Sequence, residues 1–211
     1  MSKGRLIFIN IVGIIVVVAL LAAGAYFFYE NKNYVKTDDA VVSADINQVV
    51  APASGLLNNW DGKEGNVISA HEELGNISNG KQGLPVDSMD KGTIIKNEVK
   101  KNQMVQAGQV LAQTADMDHL YVTANIDETD LKDIEVGDSV DITVDGDSGT
   151  LFSGKIDSIG YATNSVFSSL PSQNSNGSYT KVTQKVPVKI SIQNPSKKVL
   201  PGMNAEVKIS M

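Results

Sequence analysis

Three apolar patterns follow one another along the chain. Residues 6–29 carry no charge, and Asn10 is the one clearly polar side chain among them. At ~1.5 Å per residue these 24 positions make roughly 36 Å of helix, enough to cross a bilayer core of about 30 Å with some tilt. Between residues 41 and 115 the apolar groups come in short runs cut by glycine and polar turns. From Leu120 onward they alternate strictly with polar residues, the mark of strands with one face buried.

The middle region repeats itself. GLLNNWDGKEGNVISAHEELGNI from Gly55 and GTIIKNEVKKNQMVQAGQVLAQT from Gly92 overlay without a gap at an offset of 37 residues. Val67-Ile68 falls on Met104-Val105, Ala70 on Ala107 and Leu74 on Leu111. Each copy reads as a glycine turn, a short strand, a polar turn and a strand closed by Ala-x-x-x-Leu. Units this small cannot bury a core alone, so the pair predicts a β-sandwich of two half-motifs around one shared interior. Before it, Thr37-Asp38-Asp39-Ala40 reads as a polar lead-in. Val42, Ala44, Ile46 and Val50 then recur near period two, predicting one strand with these residues buried. Residues 78–91, rich in Gly, Ser, Asn and Asp, read as a surface connection between the copies.

The C-terminal half predicts five strands, on Leu120-Val122-Ala124-Ile126, Val140-Ile142-Val144, the less regular Phe152-Ile156-Ile159, Val186-Val188-Ile190-Ile192 and Ala205-Val207-Ile209-Met211. Turn signals between them suggest a small antiparallel barrel. Residues 127–134 look helical, with Asp127 as N-cap, and fit a short plug at one barrel end. Asp145-Gly146-Asp147-Ser148-Gly149 lacks the ligand count of a calcium loop and reads as a hairpin turn. Pro201-Gly202 predicts a type II turn. Residues 163–180, TNSVFSSLPSQNSNGSYT, form a long connection without periodicity. Phe167, Leu170 and Tyr179 are its large apolar groups, and the segment reads either as a plain loop or as a docking loop whose aromatics bury against a membrane partner. The expected organisation is a cytoplasmic tip and anchor over residues 1–35, a sandwich with its leading strand over 36–115, and a barrel over 116–211.

Composition narrows the function. The chain of 211 residues has no cysteine, hence no disulfide framework, thiolate metal site or thiol nucleophile. Its net charge is −6, and setting aside Lys3 and Arg5 leaves −8 for the rest. An acidic body argues against nucleic acid, whose binding needs clustered Lys and Arg. Lys3 and Arg5 beside Leu6 and Phe8 place the N-terminus in the cytoplasm, and Tyr26, Phe27, Phe28 and Tyr29 form an aromatic belt at the outer interface. The competing reading is a cleaved signal peptide at Ala23-Gly24-Ala25. The apolar run exceeds a usual signal core of ~7–15 residues and continues past that site.

Candidate chemistry is sparse. Gly75 to Lys81 spells G-x-x-x-x-G-K, but Gln82 stands where a Ser or Thr should reach Mg²⁺. No nucleophile-base arrangement, metal-ligand cluster or carboxylate pair emerges, so no enzyme activity and no cofactor are expected. Met89-Asp90-Lys91 is read as the turn joining the half-motifs, where lipoyl and biotinyl carriers hold their modified lysine. The triplet Asp-Lys-Gly departs from their Asp-Lys-Ala or Met-Lys-Met, leaving Lys91 as a solvated turn residue in the main reading and a modified one in the alternative.

Taken together, the chain resembles the membrane fusion (adaptor) proteins of the HlyD/EmrA type. Tyr34-Val35-Lys36-Thr37-Asp38-Asp39-Ala40 is similar to that family's motif after the anchor. Val50-Ala51-Pro52-Ala53-Ser54-Gly55 and Gln103-Met104-Val105-Gln106-Ala107-Gly108-Gln109 resemble its two half-motifs. Leu120-Tyr121-Val122, Asn125-Ile126-Asp127-Glu128, Gln184-Lys185-Val186-Pro187-Val188-Lys189-Ile190 and Leu200-Pro201-Gly202-Met203 resemble its barrel, the last two its EmrA branch. The resemblance implies a mainly β fold: a transmembrane helix, a lipoyl-like barrel-sandwich hybrid and a β-barrel. It also implies a single-pass adaptor in the cell membrane that docks on a cytoplasmic-membrane transporter of MFS or ABC type, touches lipid, and can form a homo-oligomer. Many relatives insert a long helical hairpin between the half-motifs to reach an outer-membrane tunnel. The short segment here predicts no such contact. A structural envelope protein without a transporter is the remaining alternative.

Overall fold

The structure, a computed structural model, describes residues 3–78, 80, 83–167 and 183–211; side-chain surroundings are described from residue 12 to 25 and from 32 on, Phe167 excepted. Helix α1 (Lys3–Asn33) leads into strand β1 (Tyr34–Ser43). Eight strands follow: β2 (Ile46–Val50), β3 (Gly55–Trp60), β4 (Val67–Ile68), β5 (Glu73–Ser78), β6 (Gly83–Asp87), β7 (Gly92–Asn97), β8 (Met104–Val105) and β9 (Val110–Ala115). The last five are β10 (Tyr121–Asp127), β11 (Ser139–Val144), β12 (Leu151–Ile159), β13 (Lys185–Ile192) and β14 (Asn204–Ser210).

The 37-residue offset is a structural symmetry. It carries β2 onto β6, β3 onto β7, β4 onto β8 and β5 onto β9, each residue for residue. One sheet runs β2-β9-β7-β4 and the other β6-β5-β3-β8, so the operation exchanges the two layers. Backbone hydrogen bonds repeat across it: Gly65 N to Ile94 O matches Asn102 N to Leu57 O, and His71 N to Ser88 O matches Gly108 N to Ala51 O. Left-handed backbone recurs as well, at Gly65 (φ 86°) with Asn102 (64°), and at His71 (62°) with Gly108 (80°). Trp60 and Asn97 are themselves equivalent, and they meet: the indole Nε1 donates to Asn97 Oδ1 at 3.0 Å. Leu57, Leu74, Ile77, Ile94 and Leu111 fill one interior drawn from both copies. Fully burying such side chains contributes about 1.5–3 kcal/mol each, which neither half could collect alone.

Two expectations for this region are corrected. The segment between the copies is no plain loop: β6, with Val86 buried, pairs with β5 and is the repeat equivalent of β2. Ser78 pairs with Gly83, so residues 79–82 are all that separates β5 from β6. Lys91 therefore does not sit where the half-motifs join; it precedes β7 and is equivalent to Ser54. The expected strand through residues 42–50 is also two strands. Its alternation breaks at Ala44-Asp45, where the chain leaves one sheet for another, so Val49 is buried while Ile46 and Val50 are exposed.

The barrel has six strands, closed in the order β1-β10-β13-β12-β11-β14. The segment expected to lead the sandwich supplies the sixth. Closure needs β1 because β10 and β14 would otherwise each show an unpaired edge; β1 pairs with both. Every alternating apolar position predicted on β10, β11 and β13 is buried, as are Ala205, Val207 and Ile209 on β14. Met211, beyond the strand, is exposed. The irregularity of β12 is a register shift between Ile156 and Ser158. Gly154 admits no larger residue: a Cβ there would lie 2.3 Å from the Ser191 carbonyl oxygen. Residues 127–134 are not an Asp127-capped α-helix. Asp127 ends β10, and a 3-10 turn over Leu131–Asp133 follows without a side-chain cap. Ile134 is buried and Leu131 packs on the barrel core, so the segment still plugs that core. Gly202 has φ 91° and Met203 N bonds Leu200 O, as a type II turn requires.

None of the described side chains of helix α1 belongs to either core. Among its described side chains Val12, Ile14, Ile15, Val16, Val17, Val18, Leu20 and Leu21 are all exposed. Among the described residues no helix is long and apolar enough to cross a membrane.

Candidate functional site

Strand registers decide what gathers at each end of the barrel. Tyr34, just after the helix, pairs with Ser210; Val140 pairs with Ile209; Asp127 pairs with Lys185; Ile159 pairs with Val188. One end therefore collects the C-terminus of α1, residues 128–138, and both roots of residues 160–184. The chain terminus is tied there too, with Met211 N bonding Asn33 O at 3.1 Å. Lys208 Nζ lies 3.8 Å over the Tyr34 ring, a cation–π contact beside the same junction. Val136, Tyr161 and Val166 are exposed large apolar groups on this end's segments.

The local sequence that organises this end is Thr37-Asp38-Asp39-Ala40. Val35 and Ala40 are both buried although five positions apart, which strict alternation forbids. The pairing with β14 shifts register between Thr37 and Ala40: the two aspartates sit in a β-bulge, a device that re-aims side chains. Asp39 accepts from Asn125 Nδ2 at 2.9 Å and from Lys185 Nζ at 2.9 Å. Thr37 Oγ1 donates to the Asn125 carbonyl at 3.2 Å and accepts from Asp39 N at 3.1 Å. Asn164 Nδ2 donates to Asn125 Oδ1 at 2.8 Å.

The bonds from Asn125 and then Lys185 hold the Asp39 carboxyl below its ordinary value of 3.8, against a smaller opposing effect of burial. The bond to Asp39 raises Lys185 in turn. A lowered acid stabilises the fold above its unfolded pKa, and that contribution is lost as pH falls through the folded value. The melting-temperature gap between wild type and Asp39→Asn should thus be full at pH 6 and shrink as acid takes the solution below the ordinary carboxylate value of 3.8. A gap unchanged at that acidity would show that the carboxylate is not its source.

The other sequence candidates fall elsewhere. The side chains of Leu6, Phe8, Tyr26, Phe27, Phe28 and Tyr29 lie outside the described ones, as does that of Phe167; Leu170 and Tyr179 are outside the described residues altogether. Asn164–Phe167 forms a short 3-10 turn at the root of that segment. Lys91 is solvent-exposed and paired with Asp118 at 3.1 Å, and that carboxylate raises its pKa. Gly75, first residue of the G-x-x-x-x-G-K match, lies inside β5. His119 meets Asp116 at 2.7 Å, and among the described residues no group of His, Asp and Glu is placed to hold a metal. Asn125, Asn164 and Lys185 were not singled out as site residues, since they gather only once the barrel closes. The available hint was two adjacent aspartates interrupting an otherwise alternating strand.

Comparison with known proteins agrees with this architecture. Residues 45–116 match the family described as YhbJ, barrel-sandwich hybrid domain, and residues 119–210 match the AAEA-like beta-barrel domain. YhbJ of Bacillus subtilis (strain 168), whose name carries the words efflux system component, is 60% identical over 210 residues, covering 100% of this chain and 95% of that protein. The multidrug export protein EmrA of Haemophilus influenzae is 28% identical over 186 residues; the match covers 86% of this chain but only 48% of the relative. Among solved structures, the membrane fusion protein Spr0693 of Streptococcus pneumoniae R6 shares the fold, with a TM-score of 0.59 at 15% identity over 84% of this chain and 98% of that one. With a relative this similar along its whole length, and with both halves matched to that family's domains, the chain belongs to the EmrA/YhbJ-type membrane fusion (adaptor) proteins.

Proposed function

We propose that this chain is the membrane-anchored adaptor subunit of an export system, docking on a polytopic transporter of the cytoplasmic membrane and extending its path outside the cell. The observation that carries the reading is the direct run of α1 into β1. A helix whose side chains from residue 12 to 25 are apolar and exposed all round needs an apolar solvent, and the uncharged stretch of residues 6–29 is long enough for lipid. Lys3 and Arg5 favour a cytoplasmic N-terminus, leaving barrel and sandwich extracytoplasmic. The barrel end that receives the helix then faces the membrane, where a transporter of MFS or ABC type would meet residues 163–180 with Phe167, Leu170 and Tyr179. Between β5 and β6 only residues 79–82 intervene, which supports an adaptor that makes no outer-membrane tunnel contact. The role is mechanical, with no covalent chemistry and no cofactor, and any bias it exerts on the transporter is limited to its differential affinity for the transporter's states.

Co-purification in mild detergent tests this. Tagged full-length protein is expected to bring down a polytopic transporter, and deletion of residues 166–178 to lower that recovery several-fold while the melting temperature stays within a few degrees. Recovery of no transporter by the wild type would remove the adaptor role. Undiminished recovery by the deletion would remove the docking segment alone.

A further inference from the structure

We propose that Asp39 is the positioning residue of the docking end: it pins both roots of the excursion between β12 and β13 to the strand that leaves the anchor helix. The excursion leaves through Asn164 and returns through Lys185. These residues are distant in sequence, yet both bond into the Asp39–Asn125 pair, Lys185 directly to Asp39 and Asn164 through Asn125. Asp39 reaches them only because the bulge turns it toward β10 and β13, and Thr37 braces both members of the pair. Neighbouring backbone bonds complete the clamp: Gly160 N to Pro187 O at 2.8 Å and Glu128 N to Gln184 O at 2.9 Å. β1 continues α1 without an intervening loop, so tilt or rotation of the anchor reaches the excursion's roots through the Asp39 carboxylate, with the Thr37 hydroxyl beside it. That arrangement sets where the docking surface stands relative to the membrane. Asp38, its neighbour in the bulge, is exposed and adds only the weakest of the carboxylate effects on Lys185. The consequence for docking rests on the adaptor reading; the pinning itself does not.

The test compares Asp39→Ala, Asp39→Glu and Asp38→Ala in the full-length protein in detergent micelles. Hydrogen exchange read by mass spectrometry is expected to rise at least about fivefold over residues 160–167 and 183–187 in Asp39→Ala, with the sandwich and β11 unchanged. Asp39→Glu should recover part of the protection, and Asp38→Ala should match wild type. Transporter recovery should fall several-fold in Asp39→Ala only. Unchanged exchange at the two roots, or a uniform rise across the barrel, overturns the pinning. Raised exchange with undiminished recovery overturns the positioning role. A wild type that recovers no transporter defeats the adaptor reading, while the exchange pattern still decides whether Asp39 pins the roots.

Discussion

Leu111→Ala is expected to lower the stability of the sandwich by about 2–5 kcal/mol and to leave the barrel's own unfolding in place. Leu111 is fully buried, and its symmetry equivalent Leu74 lies in the same interior. Truncation removes the transfer free energy of the lost carbons and leaves a cavity that the two-layer packing relaxes around only in part. The barrel interior is a separate cluster, so urea unfolding followed by tryptophan fluorescence isolates the effect: Trp60 packs on the sandwich core. Leu74→Ala should fall in the same range, and the double variant should depart from additivity because both sites share one core. A loss under about 1 kcal/mol for either, or strict additivity, would contradict a shared interior built from two halves.

Removing residues 1–31 is expected to move the protein from the membrane fraction to the soluble fraction and to abolish transporter recovery, with β content preserved by circular dichroism. The reason is the division of labour in the fold. Neither core includes a described side chain of α1, so the β-domains lose none of their described packing, whereas the exposed aliphatic surface of the helix is the feature that calls for lipid. A milder variant, Val17→Arg near mid-helix, places a charge costing about 2.5–3.5 kcal/mol at the bilayer centre and should lower membrane recovery without unfolding the rest. A truncated protein that still sediments with membranes after alkaline carbonate washing would show that the β-domains bind the membrane themselves.

Much of this was legible without coordinates because the underlying physics is local. The repeat could be read from Gly55 and Gly92, or Leu74 and Leu111, because the same turns and buried positions recur at a fixed spacing. The reading fell short where one copy had diverged in chemistry while keeping its place. β6 carries Gly83 and Pro85 and looks like a loop, but its pairing with β5 holds it as the counterpart of β2. Lys91 was misplaced for the same reason, since the two halves join between Ser78 and Gly83. The expected helix at Asp127 failed because acids suited to a helix start also suit the end of a strand, and the ladder to β13 took Asp127.

The sequence by itself determined which residues face inward along β10, β11 and β13, that two half-motifs share a core, and that an uncharged stretch precedes them. All three follow from periodicity and composition, which act over a few residues. Only the tertiary structure decided that β1 closes the barrel, that its bulge turns Asp39 inward, and that Asn125, Asn164 and Lys185 converge there. Those depend on which edges pair. A period of two names the buried face of a strand but not its neighbour, and hydrogen bonding between strands far apart in the chain is settled only when every edge of the closed sheet must find a partner.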